Sequence, residues 1–371
     1  MNKNVQISDV VYQLQNIDYS TLWTILRPII IGFIANRLIK LGKKNYDLRK
    51  DYKATGLSIV ELPPEIKRAH LEIDKERLLQ QQFGDSIINF VTTITEKIPN
   101  VDLTLFYNNL ATLTTSTKKT KFKNMVLKTG VQGYYTPNIN EVVLQEKNCL
   151  LTIDHELFHM ASTYYRENDD MVFSGFNQHG KIQIAEGINE GYTQLLTERY
   201  FGESKPLLQA YKYEKSMAEK LEMIVGQEKM QSLYLNANLQ GLVQELNQYE
   251  EENVIMQFFA DIDFLQKYLD DKHLLPTQKG MIISKLKSAN RFLLGCYTKK
   301  LKVDFDDEGI EQKEFKEKMT TFLQMLGMAL KVGKRRFDFF DVEVISEIIS
   351  NGLTDLKINV NAEENNKSLS K

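Results

Sequence analysis

The run Leu150-Leu151-Thr152-Ile153-Asp154-His155-Glu156-Leu157-Phe158-His159-Met160-Ala161 narrows what this chain can fold into more than any other stretch. Apart from Thr152, Asp154 and the His155, Glu156 and His159 group the run is apolar, and so apolar a helix reads as buried. Burial takes His155, Glu156 and His159 out of water as well, where polar groups need partners. Residues four apart stand one turn above each other, so both imidazoles can reach a single ion. Zinc takes imidazole nitrogen at about 2.0–2.1 Å and prefers four ligands, which leaves two positions beyond the histidines. Glu156 can face the open one as general base for a zinc-bound water.

A further ligand is expected from a second helix. Glu190 lies 31 positions after His159, in Gly187-Ile188-Asn189-Glu190-Gly191-Tyr192-Thr193. A carboxylate placed there completes a His₂Glu set and leaves the last position for water. Glu186, one turn earlier, competes with it, although an acidic residue there also suits a helix N-terminus.

These residues resemble the gluzincin branch of the zinc metallopeptidases, the thermolysin-like superfamily. The resemblance is carried by His155–His159 and by Asn189-Glu190-Gly191, and it covers about residues 134–202. It implies that His155, His159 and Glu190 bind one Zn²⁺ ion and that Glu156 is the catalytic base. The function it implies is a zinc metallopeptidase that hydrolyses peptide bonds with a metal-activated water. Such enzymes often place an aspartate four residues after the glutamate ligand to orient a histidine. Gln194 stands there in this chain, with Thr193 beside it. Asn189, Thr193 and Glu186 are then the candidates for fixing the imidazoles from behind.

Peptide hydrolysis also needs a donor for the oxyanion. Tyr211 and Tyr213, which follow the second helix, and His179, between the two helices, are the candidates. Tyr192 is two positions from Glu190 and points about 200° around the helix, away from a metal. Tyr134 and Tyr135 read as strand aromatics that can border a groove. Cys149 and Cys296 read as buried thiols, and His70 and His273 as residues in charged helical surroundings.

Around this centre the pattern predicts helices from Tyr19 to about Gln82, capped at Ser20 and broken at Pro63-Pro64, and a further helix from Asp85 to Ile98. Strands are expected at Val101–Tyr107, Gly130–Tyr135 and Glu141–Gln145, with a turn at Thr136–Asn140. Asn148 stands at an N-cap before a helix running to Arg166. A loop or short hairpin follows to Ala185, then a helix from Gly187 to Tyr200. From Lys205 to Ser350 the pattern is almost wholly helical, apart from a turn near Pro276 and an acidic loop at Asp304–Asp307. The fold expected is α+β, predominantly α: a small twisted sheet packed on the zinc helix, with a large helical C-terminal lobe. The divisions are an N-terminal helical segment at 1–98, a β/α metallopeptidase core at 99–202, a helical lobe at 203–358 and a disordered tail at 359–371.

Composition excludes several other classes. Across 371 residues, 47 basic and 49 acidic side chains give a net charge of −2, not the basic footprint of a dedicated nucleic-acid binder. Two cysteines cannot build a disulfide framework or a zinc ribbon. The greasiest stretch, Leu22–Leu41, is interrupted by Arg27, Arg37 and Lys40, so no transmembrane span is expected. The chain is expected to be cytoplasmic, with a peptide or protein substrate and no nucleic-acid partner. Two basic runs, Arg37–Lys53 and Lys118–Lys128, read as solvated faces. The rival readings are a zinc-stabilised non-catalytic helical interaction protein and a helical protein associated with a membrane surface or nucleic acid.

Overall fold

In the computed structural model the described residues are 19–52, 58–60, 73–118, 133–145, 149–202, 211–269, 274–307, 309–326, 330–332 and 335–337. They fall into two units, divided between Ala54 and Thr55. The first unit contains one described helix, α1 (Tyr19–Tyr52), whose backbone is already helical one residue before Ser20.

The second unit is α+β and predominantly α. Its N-terminal part runs α2 (Lys75–Leu79), α3 (Gly84–Lys97), α4 (Thr104–Thr112) and β1 (Thr114–Lys118). A hairpin, β2 (Gly133–Thr136) and β3 (Glu141–Gln145), leads to α5 (Cys149–Ala161). Four short strands follow: β4 (Thr163–Arg166), β5 (Met171–Ser174), β6 (Asn177–His179) and β7 (Gln183–Ile184). Then come α6 (Glu186–Phe201), α7 (Lys212–Val225), α8 (Gln227–Leu235), α9 (Leu239–Leu246), α10 (Glu252–Tyr268), α11 (Pro276–Asp307) and α12 (Gln312–Leu326). A last pair of strands is β8 (Leu330–Val332) and β9 (Arg335–Phe337).

The hairpin and the helix after it follow the expected pattern. β2 and β3 pair antiparallel from Gly133↔Leu144 to Thr136↔Glu141, and β1 pairs parallel to β3 on its other side. The order β1-β3-β2 leaves β2 at an edge. Helix α5 packs on β2 and β3 and is buried on every described side. An aromatic cluster fixes its back: Phe90 of α3 lies 5.0 Å from Phe158 of α5, 5.9 Å from Phe106 of α4 and 5.4 Å from Phe201 of α6. Offset and edge-on ring pairs of this kind add to the stability gained from burial alone.

Five segments differ from expectation. Val101–Tyr107 is not a strand; α4 begins at Thr104, whose N–H and hydroxyl both donate to Asp102. Leu105, Phe106 and Leu110 are buried, which is helical spacing, so one buried face overrides the local alternation. Helix α5 ends at Ala161 rather than Arg166. Ser162 and Thr163 turn their hydroxyls onto the Phe158 and His159 carbonyls, and Thr163–Arg166 becomes a strand. The loop or short hairpin expected after it is a four-stranded antiparallel meander, β4-β5-β6-β7. Asp304–Asp307 is not a loop but the last turn of α11, where Lys300 and Asp304 form an ion pair four residues apart. The β8–β9 pair also interrupts what reads as uniform helix. Pro276 opens α11, as proline suits a first helical position. Pro63-Pro64, His70, Asn148, His273, the lysines beyond Lys118 and the tail at 359–371 lie outside the described residues, as does the side chain of Cys149. Cys296 is buried, and burial pushes its thiol up to about 12.

Candidate metal centre

His155 and His159 project from the same face of α5, and Glu190 comes from the second turn of α6. The His155 Nε2 and His159 Nε2 atoms are 3.1 Å apart. Glu190 Oε2 is 3.2 Å from His155 Nε2, and Glu190 Oε1 is 3.4 Å from His159 Nε2. Four ligands held tetrahedrally at about 2.0–2.1 Å lie roughly 3.3 Å from one another, so the three donor atoms have the spacing a zinc ion requires. Both histidines are 9% exposed and the Glu190 side chain 16%. Burial raises the Glu190 carboxyl, but the two imidazoles outweigh it and hold the group well below the usual carboxylate range. Among the described residues no fourth histidine, cysteine, aspartate or glutamate joins the three.

Glu156 is buried next to His155. Burial pushes its carboxyl up to about 7; the Glu190 charge adds to that, while His155 and a backbone hydrogen bond from Tyr135 oppose it. The Tyr135 N–H comes from the edge strand β2. Gly133, two residues earlier on that strand, is what lets the carboxylate approach. A Cβ there would stand 3.1 Å from Glu156 Cγ and 2.7 Å from Leu144 Cδ2.

Tyr211 begins the segment that returns over the metal group. Its backbone is left-handed (φ 52°), directly before α7, and its ring stacks on His155 at 5.7 Å and 12°. The Glu190 charge, then burial, then the Glu156 charge raise its phenol well above the usual value, and the hydroxyl hydrogen-bonds to Glu190. The neighbouring Tyr213 turns into the core, 4% exposed, with its hydroxyl unpartnered. His179 is exposed at the end of β6 and is not part of the three-ligand group.

Behind the ligands, Asn189 Nδ2 lies 3.5 Å from His159 Nδ1, while its Oδ1 accepts from the Phe176 N–H at 3.0 Å. Thr193 bonds to the Asn189 carbonyl and to the Tyr234 hydroxyl. Gln194 donates to Glu198. Glu186 is the first residue of α6, away from the metal group. The Tyr192 hydroxyl donates to Glu222 at 2.7 Å, facing away from the ligands as its helical phase requires.

Three supports were not visible in the sequence because each acts across a long separation. Asp263 of α10 accepts from the N–H groups of Ala185 and Gly187, both at 2.8 Å, so α6 is capped by a residue from another helix. Gly191 lets the start of α7 cross α6: a Cβ would lie 2.2 Å from the Glu214 carbonyl. Tyr234 of α8 closes the buried side through Thr193. A groove of about 750 Å³ lies elsewhere, between α10 and α11, lined among others by Phe258, Lys287, Arg291 and Phe292. None of the metal-centre residues lines it.

No protein family, curated protein or solved structure matches this chain. What the centre does must be argued from its own chemistry.

Proposed function

We propose that this protein is a zinc-dependent peptidase in which His155, His159 and Glu190 hold the ion and Glu156 is the general base. The observation that carries this reading is the triangle of donor atoms, 3.1–3.4 Å on a side, beside a buried carboxylate tied to an edge strand. Zinc bound there supplies a Lewis acid for a carbonyl oxygen and lowers the pKa of water. Three protein ligands favour a working site over a structural one, which closes its coordination with a fourth.

Glu156, buried beside the ligands, can take a proton from water and return it to the departing amine. The Tyr135 N–H keeps that carboxylate in place. Tyr211, aligned on His155, can donate its phenolic hydrogen to the oxygen on which negative charge develops. An extended peptide can add to the free edge of β2, gaining main-chain hydrogen bonds and presenting its scissile bond to Glu156.

Glu156→Gln tests the assignment, because it removes the base and keeps the side-chain shape. The variant is expected to retain bound zinc by metal analysis and to lose cleavage of a mixed peptide library. Cleavage at the wild-type rate would overturn the mechanism. Zinc retention without cleavage by the wild-type protein would favour the non-catalytic alternative.

A further inference from the structure

Helix α1 carries a surface that the metal centre leaves unused. Between Ile31 and Tyr46 there are four cations, Arg37, Lys40, Lys43 and Lys44, and no carboxylate. At about 100° per residue, Ile31, Ile34, Ala35, Leu38, Ile39, Leu41 and Tyr46 fall within an arc of roughly 160°, and the cations occupy an arc of about 120° opposite. Asn45 is the polar residue inside the apolar arc, and Phe33 the apolar residue outside it.

Among the described residues the apolar arc is exposed apart from half-buried Leu41. Ile34 is 51% exposed, Ile31 54%, Leu38 62%, Tyr46 69% and Ile39 70%. Isolated apolar residues on a surface need no explanation, but a contiguous stripe about 24 Å long on one helix face marks an interaction site. Arg37, Lys40 and Lys43 are exposed and form no ion pair among the described residues. No described helix is long and apolar enough to cross a membrane. A helix with an apolar stripe and a cationic back, too charged to span, is suited to lying in a lipid interface, its stripe among the acyl chains and its flanking cations at the headgroups.

We infer that Ile31–Tyr46 of α1 docks this protein on an anionic membrane surface. The charge pattern decides the partner. A second copy packed on the stripe would leave the cations on the outer faces without partners, whereas anionic headgroups satisfy the stripe and the charges together. The inference does not depend on the metal centre.

The test is flotation of the full chain with vesicles of phosphatidylcholine alone and of phosphatidylcholine mixed with phosphatidylserine. Binding is expected to the mixed vesicles and to fall as salt rises, since surface charge attraction is screened. Replacing two flanking cations, Arg37→Gln with Lys43→Gln, is expected to weaken it about thirtyfold at low salt. Ile34→Glu with Leu38→Glu should abolish it, with circular-dichroism melting unchanged because both side chains face outward. Absence of flotation by the wild-type protein would overturn the inference, as would flotation that survives both pairs of substitutions. It would also fail if the glutamate pair instead dissolved a dimer seen by sedimentation, which would assign the stripe to a second copy.

Discussion

Tyr211 is where a single side chain decides most about the proposed chemistry. Its ring lies flat against His155, and its hydroxyl hydrogen-bonds to Glu190. Tyr211→Phe keeps the stacking and removes the donor, so kcat is expected to fall by about 10²–10³ with bound zinc unchanged. Steady-state kinetics beside metal analysis checks this, and an unchanged kcat would remove Tyr211 from the role. Lys220 of α7 shows a different residue-scale effect. It is 1% exposed, donates among the described residues to the Ser216 carbonyl and hydroxyl, and burial pulls its pKa from 10.5 down to about 8. Between pH 8 and 10.5 the unfolded chain holds a proton at Lys220 that the folded one lacks. Stability therefore rises with pH across that window, and below 8 the full cost of burying the cation is present. Lys220→Met is expected to be more stable at pH 7, by at most about 3 kcal/mol, with the difference from wild type closing as pH approaches 10.5. Denaturant melts at several pH values read it, and a constant difference would show that the lysine is charged in the fold throughout. The two kinds of residue differ in how visible they were in the sequence. His155, Glu156 and His159 stood out because their relation is one helical turn; Tyr135, Asp263 and Tyr234 did not, because each meets its partner only after the chain has folded.

At the scale of elements, α5 and α6 hold the ligands, and the placement of α6 relies on two contacts from elsewhere: Asp263 at its N-terminus and the bare backbone of Gly191 under α7. A methyl at Gly191 would meet the Glu214 backbone, which cannot swing aside as a flexible side chain can. Gly191→Ala is therefore expected to destabilise the protein by about 1–3 kcal/mol. It should also weaken zinc binding, since Glu190 is the preceding residue and Tyr211 precedes α7. Thermal melting with and without zinc, together with a metal-binding titration, tests both halves; a variant that melts and binds as wild type would mean the helices slide apart freely. The elements themselves were legible where one period dominated. Helix α3 and the β2–β3 hairpin follow their patterns closely. Helix α4 was misread as a strand because Val101–Tyr107 alternates locally, while the residues that bury it, Leu105, Phe106 and Leu110, extend past the alternating stretch. The β4–β7 meander was hidden for the opposite reason. Its strands are two to four residues long, too short for alternation to register, and they form by pairing with one another across polar turns.

For the second unit as a whole, the metal group joins parts of the chain that otherwise meet through packing. Helix α5 is fastened to α3, α4 and α6 by the Phe90 cluster and to the first sheet by Glu156, and α6 is fastened to α10 by Asp263. An ion shared by His155, His159 and Glu190, as proposed, would bridge α5 and α6 directly, and the unfolded chain offers no such site because Glu190 is 31 residues from His159. Binding free energy at that site is then folding free energy. With free zinc at a hundred times its dissociation constant, the folded state gains about 2.7 kcal/mol, or roughly 5 °C in melting temperature for a unit of this size. A chelator is expected to lower the wild-type midpoint by that amount, and added zinc to restore it. His155→Ala and Glu190→Ala should each melt at one temperature regardless of zinc, because each leaves two donors. Glu156→Gln should keep the full zinc response, since that residue lies beside the ligands and is not one of them. A zinc response that survived Glu190→Ala would mean that α6 does not contribute a ligand, and the peptidase assignment would lose its geometric basis.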